Sequence, residues 1–478
     1  MTISQEDFTA LDRIFGDYFE LGKTPGLVYA VTFKDQILHT KGLGVSSLGG
    51  QTPDPQTVFR VASLTKSFTA AAALILRDRK LLDLDKPITE YLPEFDAVTT
   101  PFPNSPKITL RMLLTMTAGF PTDDKWADRQ ESLAPDEFIR LIETGLRFDS
   151  VPGTKYEYSN LGYALVSAVI ANISGKRYTE FVETEILRPL KMATSSFDYR
   201  RLENLATGYV KRNGEWEAEP FSSQGAFSGI GGLLTNAADL AKWVGLMIEA
   251  FESESLNRCN SISSISRREM QQLQRIMPPS RSRKLDAPIL SSAGYGFGLV
   301  VEEDIDFGKI VGHSGGYPGF GSHMRWHIES GIGVIALANG RYASPAEACA
   351  PALRYLLEKQ ESAECSKHPS EELYDMQRQV ESLIRDWDNS VADRIFADNM
   401  DLDDPRSFRQ AEMATALKLI GGLLSAGTPE DTHGDSLSHL SWKLPGRSGA
   451  LKVEIQLAPN LPARIQDLDI SAVDLIDS

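Results

Sequence analysis

Hydrophobic residues between positions 5 and 20 recur every three or four places, which predicts an amphipathic helix. Residues 26–44 then hold two runs of strand-forming side chains on either side of Lys34-Asp35-Gln36, a pattern that predicts an antiparallel hairpin. Helical patterns follow over 64–79, 109–117, 161–174, 237–250, 267–275 and 345–357. Strand patterns return over 295–301, 309–311, 324–328 and 333–338.

These elements come in the order helix, hairpin, helical middle, strands, helix over residues 1–358. Strands at both ends of the region predict that the hairpin and the late strands share one antiparallel sheet. We therefore expect an α+β fold for this domain.

The last part of the chain differs in pattern and in charge. Residues 359–370 are polar and predict a linker, and residues 371–478 predict a small acidic α+β domain of unknown role. Of the net charge of −16, residues 369–478 supply −10, from 20 acidic and 10 basic side chains. The predicted elements are helices over 371–396 and 407–424 and a strand with Leu451, Val453, Ile455 and Leu457 on one face.

Composition narrows the class of protein. The 478 residues are 42% hydrophobic, which is ordinary globular composition, and the acidic balance argues against nucleic-acid or anionic-lipid partners. Cys259, Cys349 and Cys365 are too few and too far apart for a disulfide framework or a metal site, so we expect no metal and no cofactor. The absence of a signal-peptide pattern and of a long apolar run predicts a cytoplasmic location.

The sharpest chemical pattern is Ser63-Leu64-Thr65-Lys66 at the start of a predicted helix. Three residues along a helix is nearly one turn, so the Ser63 hydroxyl and the Lys66 amine face the same way. A serine hydroxyl needs a neighbouring base, and a lysine serves when burial lowers its pKa. The pair therefore indicates a nucleophile and its base, although S-x-x-K also arises by chance in long chains.

Two further patterns could complete such a site. Tyr158-Ser159-Asn160 offers a phenol that could shuttle a proton and an amide that could hold a substrate carbonyl. His313-Ser314-Gly315 follows a short predicted strand, with more glycines behind it that would let a backbone approach a substrate closely. Each pattern alone is also compatible with an ordinary loop or a glycine-rich turn.

Taken together and in this order, the three motifs resemble the serine β-lactamase and penicillin-binding-protein-like family. The nearest branch is the class C β-lactamase-like group, which includes esterases, D-aminopeptidases and acyltransferases. The resemblance covers roughly residues 5–358 and extends to the flanks PGTKYEYSNLGY and GHSGGYPGF. It implies an antiparallel sheet sandwiched by helices and an all-helical lobe over about 81–247, with Ser63 in the cleft between them.

The resemblance also implies roles for individual residues. Ser63 would be the acylated nucleophile, Lys66 its base partner and Tyr158 a second proton-transfer group. Asn160 and His313 would contact substrate. The backbone N–H groups of Ser63 and Gly316 would form the oxyanion hole, with Gly315 beside them.

Two departures from the family pattern bear on the substrate. The third motif has His313 where many relatives carry lysine, and an imidazole holds a carboxylate less firmly than an ammonium does. This favours esters, amides or short peptides over β-lactams. Met116 and Ala118 stand where relatives often have His and Ser, a change that we interpret as substrate tuning or packing. The walls of the pocket are expected to come from the loops over 122–133 and 259–288.

Other readings of the sequence remain open. Within the same family, the protein could be a true β-lactamase or an acyltransferase. Gly312-His313-Ser314-Gly315-Gly316 also fits the G-x-S-x-G nucleophile elbow of α/β-hydrolases, although no helix is predicted after Ser314. The fold could instead serve as an inactive binding or scaffold module. A homo-oligomer formed through the C-terminal domain is a further expectation.

Overall fold

The computed structural model of the protein describes residues 3–252, 261–278, 291–361, 370–424 and 427–473. Two units divide the chain, Met1–Lys359 and Gln360–Ser478. Cys259, Cys365, parts of the expected pocket loop over 259–288 and most of the expected linker lie outside the described residues.

The first unit mixes helices and strands, which confirms the predicted α+β class. Its strands are β1 Gly26–Phe33, β2 Gln36–Gly44, β3 Phe59–Arg60, β4 Tyr209–Arg212, β5 Glu215–Ala218, β6 Leu234–Thr235, β7 Arg275–Ile276, β8 Ser291–Tyr295, β9 Val300–Asp304, β10 Gly308–Tyr317, β11 Phe320–His327 and β12 Ile332–Ala338. Its helices are α1 Gln5–Glu20, α2 Thr65–Asp78, α3 Leu110–Leu114, α4 Asp124–Ala127, α5 Pro135–Thr144, α6 Asn160–Ser174, α7 Tyr178–Val182, α8 Ser228–Gly231, α9 Ala237–Glu249, α10 Ser264–Met270 and α11 Ala346–Glu361.

The N-terminal hairpin and the late strands form one sheet, as the order of elements predicts. Strand order is β2-β1-β12-β11-β10-β9-β8-β7, and each neighbouring pair is antiparallel. Alternate residues of β1 face opposite layers, as the two-residue period of a strand requires. Val28 and Ala30 belong to the core that contains α2 and α9, whereas Leu27 and Tyr29 pack with α1 and α11. Helices therefore cover both faces of the sheet.

Helix α2 carries the first motif into this core. Every residue from Thr65 to Leu76 is buried, because the alanine-rich sequence lets neighbouring elements approach it on all sides. The ring of Phe68 stacks on Trp243 of α9 with centroids 4.1 Å apart, and the Trp243 indole N–H donates to Ser67 at 3.1 Å. The start of α2 is therefore held firmly against the sheet.

Three local predictions for the first unit were wrong. The strand predicted over 295–301 is two strands, β8 and β9, joined by a turn in which Gly298 has a φ of +69°. The strand predicted over 309–311 is longer than expected, because β10 continues through Gly315 and Gly316 to Tyr317 and pairs with β11 from Ile310 to Tyr317. The lobe over 81–247 is not all helical, since β4 and β5 form a small hairpin within it.

The second unit has its own core and its own sheet. Its elements are α12 Glu371–Arg385, α13 Asn389–Ile395, α14 Met400–Asp403, α15 Arg406–Leu419, β13 Glu430–Ser436, β14 His439–Pro445, β15 Ala450–Leu457 and β16 Ile465–Val473, with the strands in the order β13-β14-β15-β16. In β15 the alternating residues expected to share one face are buried: Leu451, Val453, Ile455 and Leu457.

Two boundaries differ from the prediction. The helix expected over 371–396 is interrupted after Arg385, and a new helix begins where the Asp388 carboxylate accepts a hydrogen bond from the Ser390 N–H. Helix α11 runs to Glu361, so the first residues of the expected linker over 359–370 are helical. Among the described residues, no helix combines the length and apolarity needed to cross a bilayer.

Candidate active site

Ser63 lies in a 3₁₀ turn, Ala62–Leu64, directly before α2. Ala62 adopts a φ of +49°, a region that non-glycine residues rarely occupy and that is found preferentially at functional turns. Strand β10 presses on this turn, since a Cβ on Gly315 would lie 2.5 Å from the Val61 carbonyl oxygen. Ser63 is thereby held at the wall of a cavity of about 500 Å³.

The Lys66 side chain lies one turn further along the helix and is fully buried. Its Nζ is 3.0 Å from Ser63 Oγ, 2.7 Å from Asn160 Oδ1 and 2.8 Å from the Ile230 carbonyl oxygen. The amide and carbonyl oxygens can only accept hydrogen bonds, so two N–H groups of Lys66 are committed to them. The remaining tetrahedral position on Nζ points at Ser63 Oγ and holds either a proton or the lone pair.

The electrostatics of Lys66 favour the neutral amine at mildly alkaline pH. Burial lowers the pKa of Lys66 to about 8, and the nearby charges of Asp128, Asp124 and Asp123 oppose part of that fall. A lysine with a pKa of about 8 carries a lone pair in about a tenth of the molecules at pH 7 and in about half of them at pH 8. Lys66 can therefore accept a proton from Ser63.

Asn160, expected to contact substrate, lies beside Lys66 with both ends of its amide occupied. Its Oδ1 accepts from Lys66, and its Nδ2 donates to Asp124 Oδ1 at 2.7 Å. The Asp123 carboxylate accepts from the backbone N–H groups of Asn160 and Leu161 at 2.7 and 2.8 Å, and so caps the start of α6. This arrangement suits Asn160 to orienting Lys66.

Tyr158 lies beside Ser63 and Lys66. Its ring centroid is 5.1 Å from Lys66 Nζ, and its hydroxyl lies near Ser63. Burial, reinforced by the charge of Asp124, raises the pKa of Tyr158 well above its usual value. The phenol therefore keeps its proton at neutral and mildly alkaline pH, whereas Lys66 loses its proton as the pH rises through about 8.

The β10 wall, residues His313 to Gly316, closes the other side of the cavity. His313 Nδ1 lies 2.6 Å from the Ser314 carbonyl oxygen, so Nδ1 carries the proton and donates. His313 Nε2 then accepts from the Tyr295 hydroxyl at 2.9 Å. Burial, with a smaller effect from the charge of Lys66, lowers the pKa of His313 to about 3. The imidazole is therefore neutral and both of its nitrogens have protein partners.

The two glycines of this wall serve different purposes. Gly315 is buried against the segment that precedes Ser63, whereas Gly316 lines the cavity. The Tyr342 ring covers Gly316, so closely that a Cβ there would lie 2.9 Å from Tyr342 Cδ1. Tyr342 itself has a φ of +50°, which is rare for an aromatic residue.

Tyr342 connects the cavity to a buried carboxylate. Its hydroxyl donates to Asp128 Oδ2 at 2.9 Å, and Asp128 is 6% exposed. Burial raises the pKa of Asp128 to about 7, against the opposing effects of the Tyr342 hydrogen bond and the charge of Lys66. Asp128 and Lys66 therefore titrate in the same pH range and influence each other.

Several residues of the site belong to none of the three motifs and were not predicted from the sequence. Those lining the cavity are Asp124, Lys125, Tyr156, Met277, Tyr295, Val300 and Tyr342. Asp124 and Lys125 fall within the loop over 122–133, which the sequence identified as pocket wall without residue roles. Met277 falls within the second such loop, over 259–288. No local sequence pattern marks the tyrosines as site residues.

The nucleophile-elbow alternative does not fit the structure. Ser314 lies inside a strand, and the chain continues through a turn into β11. A nucleophile elbow needs a sharp turn from a strand into a helix at the serine.

A second cavity and clusters of potential metal ligands are the other places where a functional site could lie. A cavity of about 550 Å³ in the second unit lies between α15 and β16, and its lining contains neither histidine nor lysine to act as a base for Ser471. Within the described residues, no group of three or more His, Cys, Asp or Glu side chains could hold a metal ion.

A family model described as Beta-lactamase matches residues 11–358, which include all three motifs. The chain belongs to the Beta-lactamase family. Members of this family are serine hydrolases, and the first unit has the fold of the family.

Curated relatives include Penicillin-binding protein 4* of Bacillus subtilis, 27% identical over 69% of this chain and 71% of that protein. Protein flp of Staphylococcus aureus is 24% identical over 69% of this chain and 62% of that protein, so the match spans less than two thirds of its length. Both matches leave part of each relative unaligned with this chain.

Solved structures show the same fold. The octameric penicillin-binding protein homologue from Pyrococcus abyssi covers 96% of this chain and 99% of that chain, with a TM-score of 0.63 and 21% identity. A class C beta-lactamase mutant covers 74% of this chain and 97% of that chain, with a TM-score of 0.59 and 17% identity.

Proposed function

We propose that this protein is a serine hydrolase that forms a covalent acyl-enzyme at Ser63, acting on a small uncharged ester, amide or short peptide. The observation that carries the proposal is the set of three oxygen atoms within hydrogen-bond distance of Lys66 Nζ, one of which is Ser63 Oγ. Two fixed oxygens orient the amine, and the third direction aims at the nucleophile.

In the first step, Lys66 takes the proton of the Ser63 hydroxyl as Oγ bonds to the substrate carbonyl carbon. Lys66 is assigned this role, and Tyr158 is not, because the pKa of Lys66 is lowered to about 8 while that of Tyr158 is raised. The negative charge that develops on the carbonyl oxygen is held by the backbone N–H groups of Ser63 and Gly316. Removing one such donor typically costs on the order of 10²–10³ in kcat.

The leaving group then needs a proton. Tyr158 holds one close to Ser63 and donates it to the departing oxygen or nitrogen, and Lys66 returns its own proton to the Tyr158 oxygen. The same groups activate water in the second step, which breaks the acyl bond and restores the Ser63 hydroxyl. If an alcohol or amine replaces water, the reaction becomes acyl transfer.

The charge of the β10 wall supports an uncharged substrate. His313 is neutral and both its nitrogens are engaged, so it offers no cation to a substrate carboxylate. A buried carboxylate without a partner loses much of its hydration energy. The names of the relatives keep β-lactam binding as an alternative within the same mechanism.

Self-association is a second part of the proposal. The octameric homologue aligns with 96% of this chain, including the second unit, and this supports a homo-oligomer that uses the C-terminal domain. Light scattering of the full chain tests it: a single monomeric mass across micromolar concentrations would contradict it.

A turnover panel tests the catalytic proposal. The panel contains p-nitrophenyl acetate and butyrate, nitrocefin, and the D- and L-alanine p-nitroanilides, each assayed with the native protein and with Ser63→Ala. We expect turnover of an ester or anilide that Ser63→Ala abolishes. Equal turnover by the two proteins would contradict the proposal, and a preference for nitrocefin would show that the neutral wall accepts β-lactams.

A further inference from the structure

Ser314 and His323 face each other across the β10–β11 pair. They are direct partners in the antiparallel register, so their side chains project from the same face of the sheet. Ser314 Oγ and His323 Nδ1 lie 2.8 Å apart. The His323 side chain is buried, whereas Ser314 is exposed and lines the cavity that holds Ser63.

The cavity side of β10 is open at this point. Strand β9 pairs with β10 from Gly308 to Gly312, and the residues that follow, from His313 onward, line the cavity instead. Ser314 is therefore within the stretch of β10 that a bound substrate would meet.

The hydrogen-bonding of His323 fixes which partner donates. Its Nε2 is buried and has no protein partner among the described residues. A buried N–H without an acceptor is the rarer and less favourable state, so the proton belongs on Nδ1. His323 then donates to Ser314 Oγ, and the Ser314 hydroxyl proton is turned away from the imidazole.

Packing alone does not explain a histidine here. A buried imidazole with one unpartnered nitrogen costs stability that a leucine or phenylalanine of similar size would not. Burial and the charge of Arg325 lower the pKa of His323 well below its usual value, so the ring is neutral. The contact that this ring makes is with the hydroxyl of Ser314, a residue that lines the cavity.

We propose that His323 is a positioning residue that holds the Ser314 hydroxyl as a hydrogen-bond donor for an uncharged oxygen of the substrate, such as a second carbonyl. The inference rests on the proposed acyl-enzyme function and deepens it. It assigns the substrate a neutral acceptor beyond the scissile carbonyl, recognised by a serine that is oriented by a neutral imidazole.

The test uses two p-nitrophenyl esters of similar length. One is the ester of monomethyl succinate, which has a second, uncharged carbonyl, and the other is the butyrate ester, which has none. The quantity measured is the selectivity, defined as kcat/KM for the succinate diester divided by kcat/KM for the butyrate ester. General effects on folding or on Ser63 cancel in this ratio.

We expect Ser314→Ala to lower the selectivity about three- to tenfold, the effect of one neutral hydrogen bond. His323→Leu should lower it equally, and the double variant no further, because both substitutions remove the same donor. His323→Asn places an amide near the position of Nδ1 and should restore the selectivity, whereas His323→Gln places it near Nε2 and should not.

The outcomes separate this inference from the proposed function. Equal selectivity in His323→Asn and His323→Gln, or additive losses in the double variant, would overturn the positioning role while Ser63-dependent turnover persists. If neither ester is turned over and Ser63 forms no adduct with a fluorophosphonate probe, the proposed function itself fails. Thermal melting of each variant confirms that the comparison is made on folded protein.

Discussion

The two sides of the candidate active-site cavity differ in charge. On the nucleophile side, Lys66 is buried with Asp123, Asp124 and Asp128 close enough to influence its pKa. On the β10 wall, His313 is neutral and is fixed by a carbonyl and a phenol. Burial therefore has different consequences on the two sides: the carboxylates around Lys66 offset part of the fall in its pKa, whereas within the described part of the chain His313 has no carboxylate partner and stays neutral.

The largest expected effect comes from removing the base on the nucleophile side. Lys66→Met keeps much of the side-chain volume but has no amine, and we expect kcat/KM to fall by about 10²–10⁴, as for the loss of a general base. Lys66→Arg is the matched variant: it keeps the charge but cannot lose its proton, so it should be equally impaired. Substantial activity in the arginine variant would mean that charge, and not proton transfer, is what Lys66 supplies.

The two sides meet at Gly315, where the next largest effect is expected. Gly315→Ala forces a Cβ toward the Val61 carbonyl oxygen, and we expect a loss of about 1–3 kcal/mol in unfolding free energy, typical of overpacking. Gly316→Ala is the control, since its Cβ would meet the side chain of Tyr342 and not backbone. Denaturant-induced unfolding of both variants tests this prediction. A smaller loss of unfolding free energy for Gly315→Ala than for Gly316→Ala would show that the backbone near the Ser63 turn is loosely packed.

The contrast itself can be reversed by placing a cation on the neutral wall. His313→Lys should raise kcat/KM for the p-nitrophenyl ester of succinate with a free carboxylate, relative to its methyl ester, by about tenfold, the effect of one charged hydrogen bond. His313→Gln is the neutral control and should leave the preference for the methyl ester in place. If the native protein already prefers the free acid, the β10 wall is not neutral toward substrate.

The smallest expected effect is a shift in pH dependence. The lowered pKa of Lys66, about 8, predicts that kcat/KM rises as pH passes upward through that value, because the neutral amine is the active form. Asp128→Asn removes a charge that holds this pKa up, so the midpoint should move to lower pH by about half a unit to one unit. Asp136→Asn, which removes a surface carboxylate paired with Arg140, serves as the control. An upward shift in the Asp128 variant would contradict the assignment of Lys66 as base.

The parts of the fold and site that could be predicted are those encoded locally. Periodicity located α1, the β1–β2 hairpin and α2, and the spacing of Ser63 and Lys66 placed both side chains on one turn. The strand predicted over 309–311 was too short. The glycines that follow His313 indicate a turn locally, but pairing with β11 keeps them in the strand. Local composition does not report such long-range pairing.

The missed site residues share one cause. Tyr295 and Tyr342 line the cavity from a strand end and a loop, and Asp128 lies behind Tyr342. Each acquires its role only through a partner distant in sequence. His323 is the clearest case, since no motif in the sequence marks it. It meets Ser314 only because β10 and β11 pair in this register.

The central claim is that Ser63 is the group that becomes acylated. Its most direct test is intact mass followed by peptide mapping after incubation with a fluorophosphonate probe and, separately, with a penicillin, on the native protein and on Ser63→Ala. We expect one fluorophosphonate adduct on the peptide that contains Ser63 in the native protein, and no adduct in Ser63→Ala. An adduct on Ser314, or no adduct in a folded native protein, would contradict it.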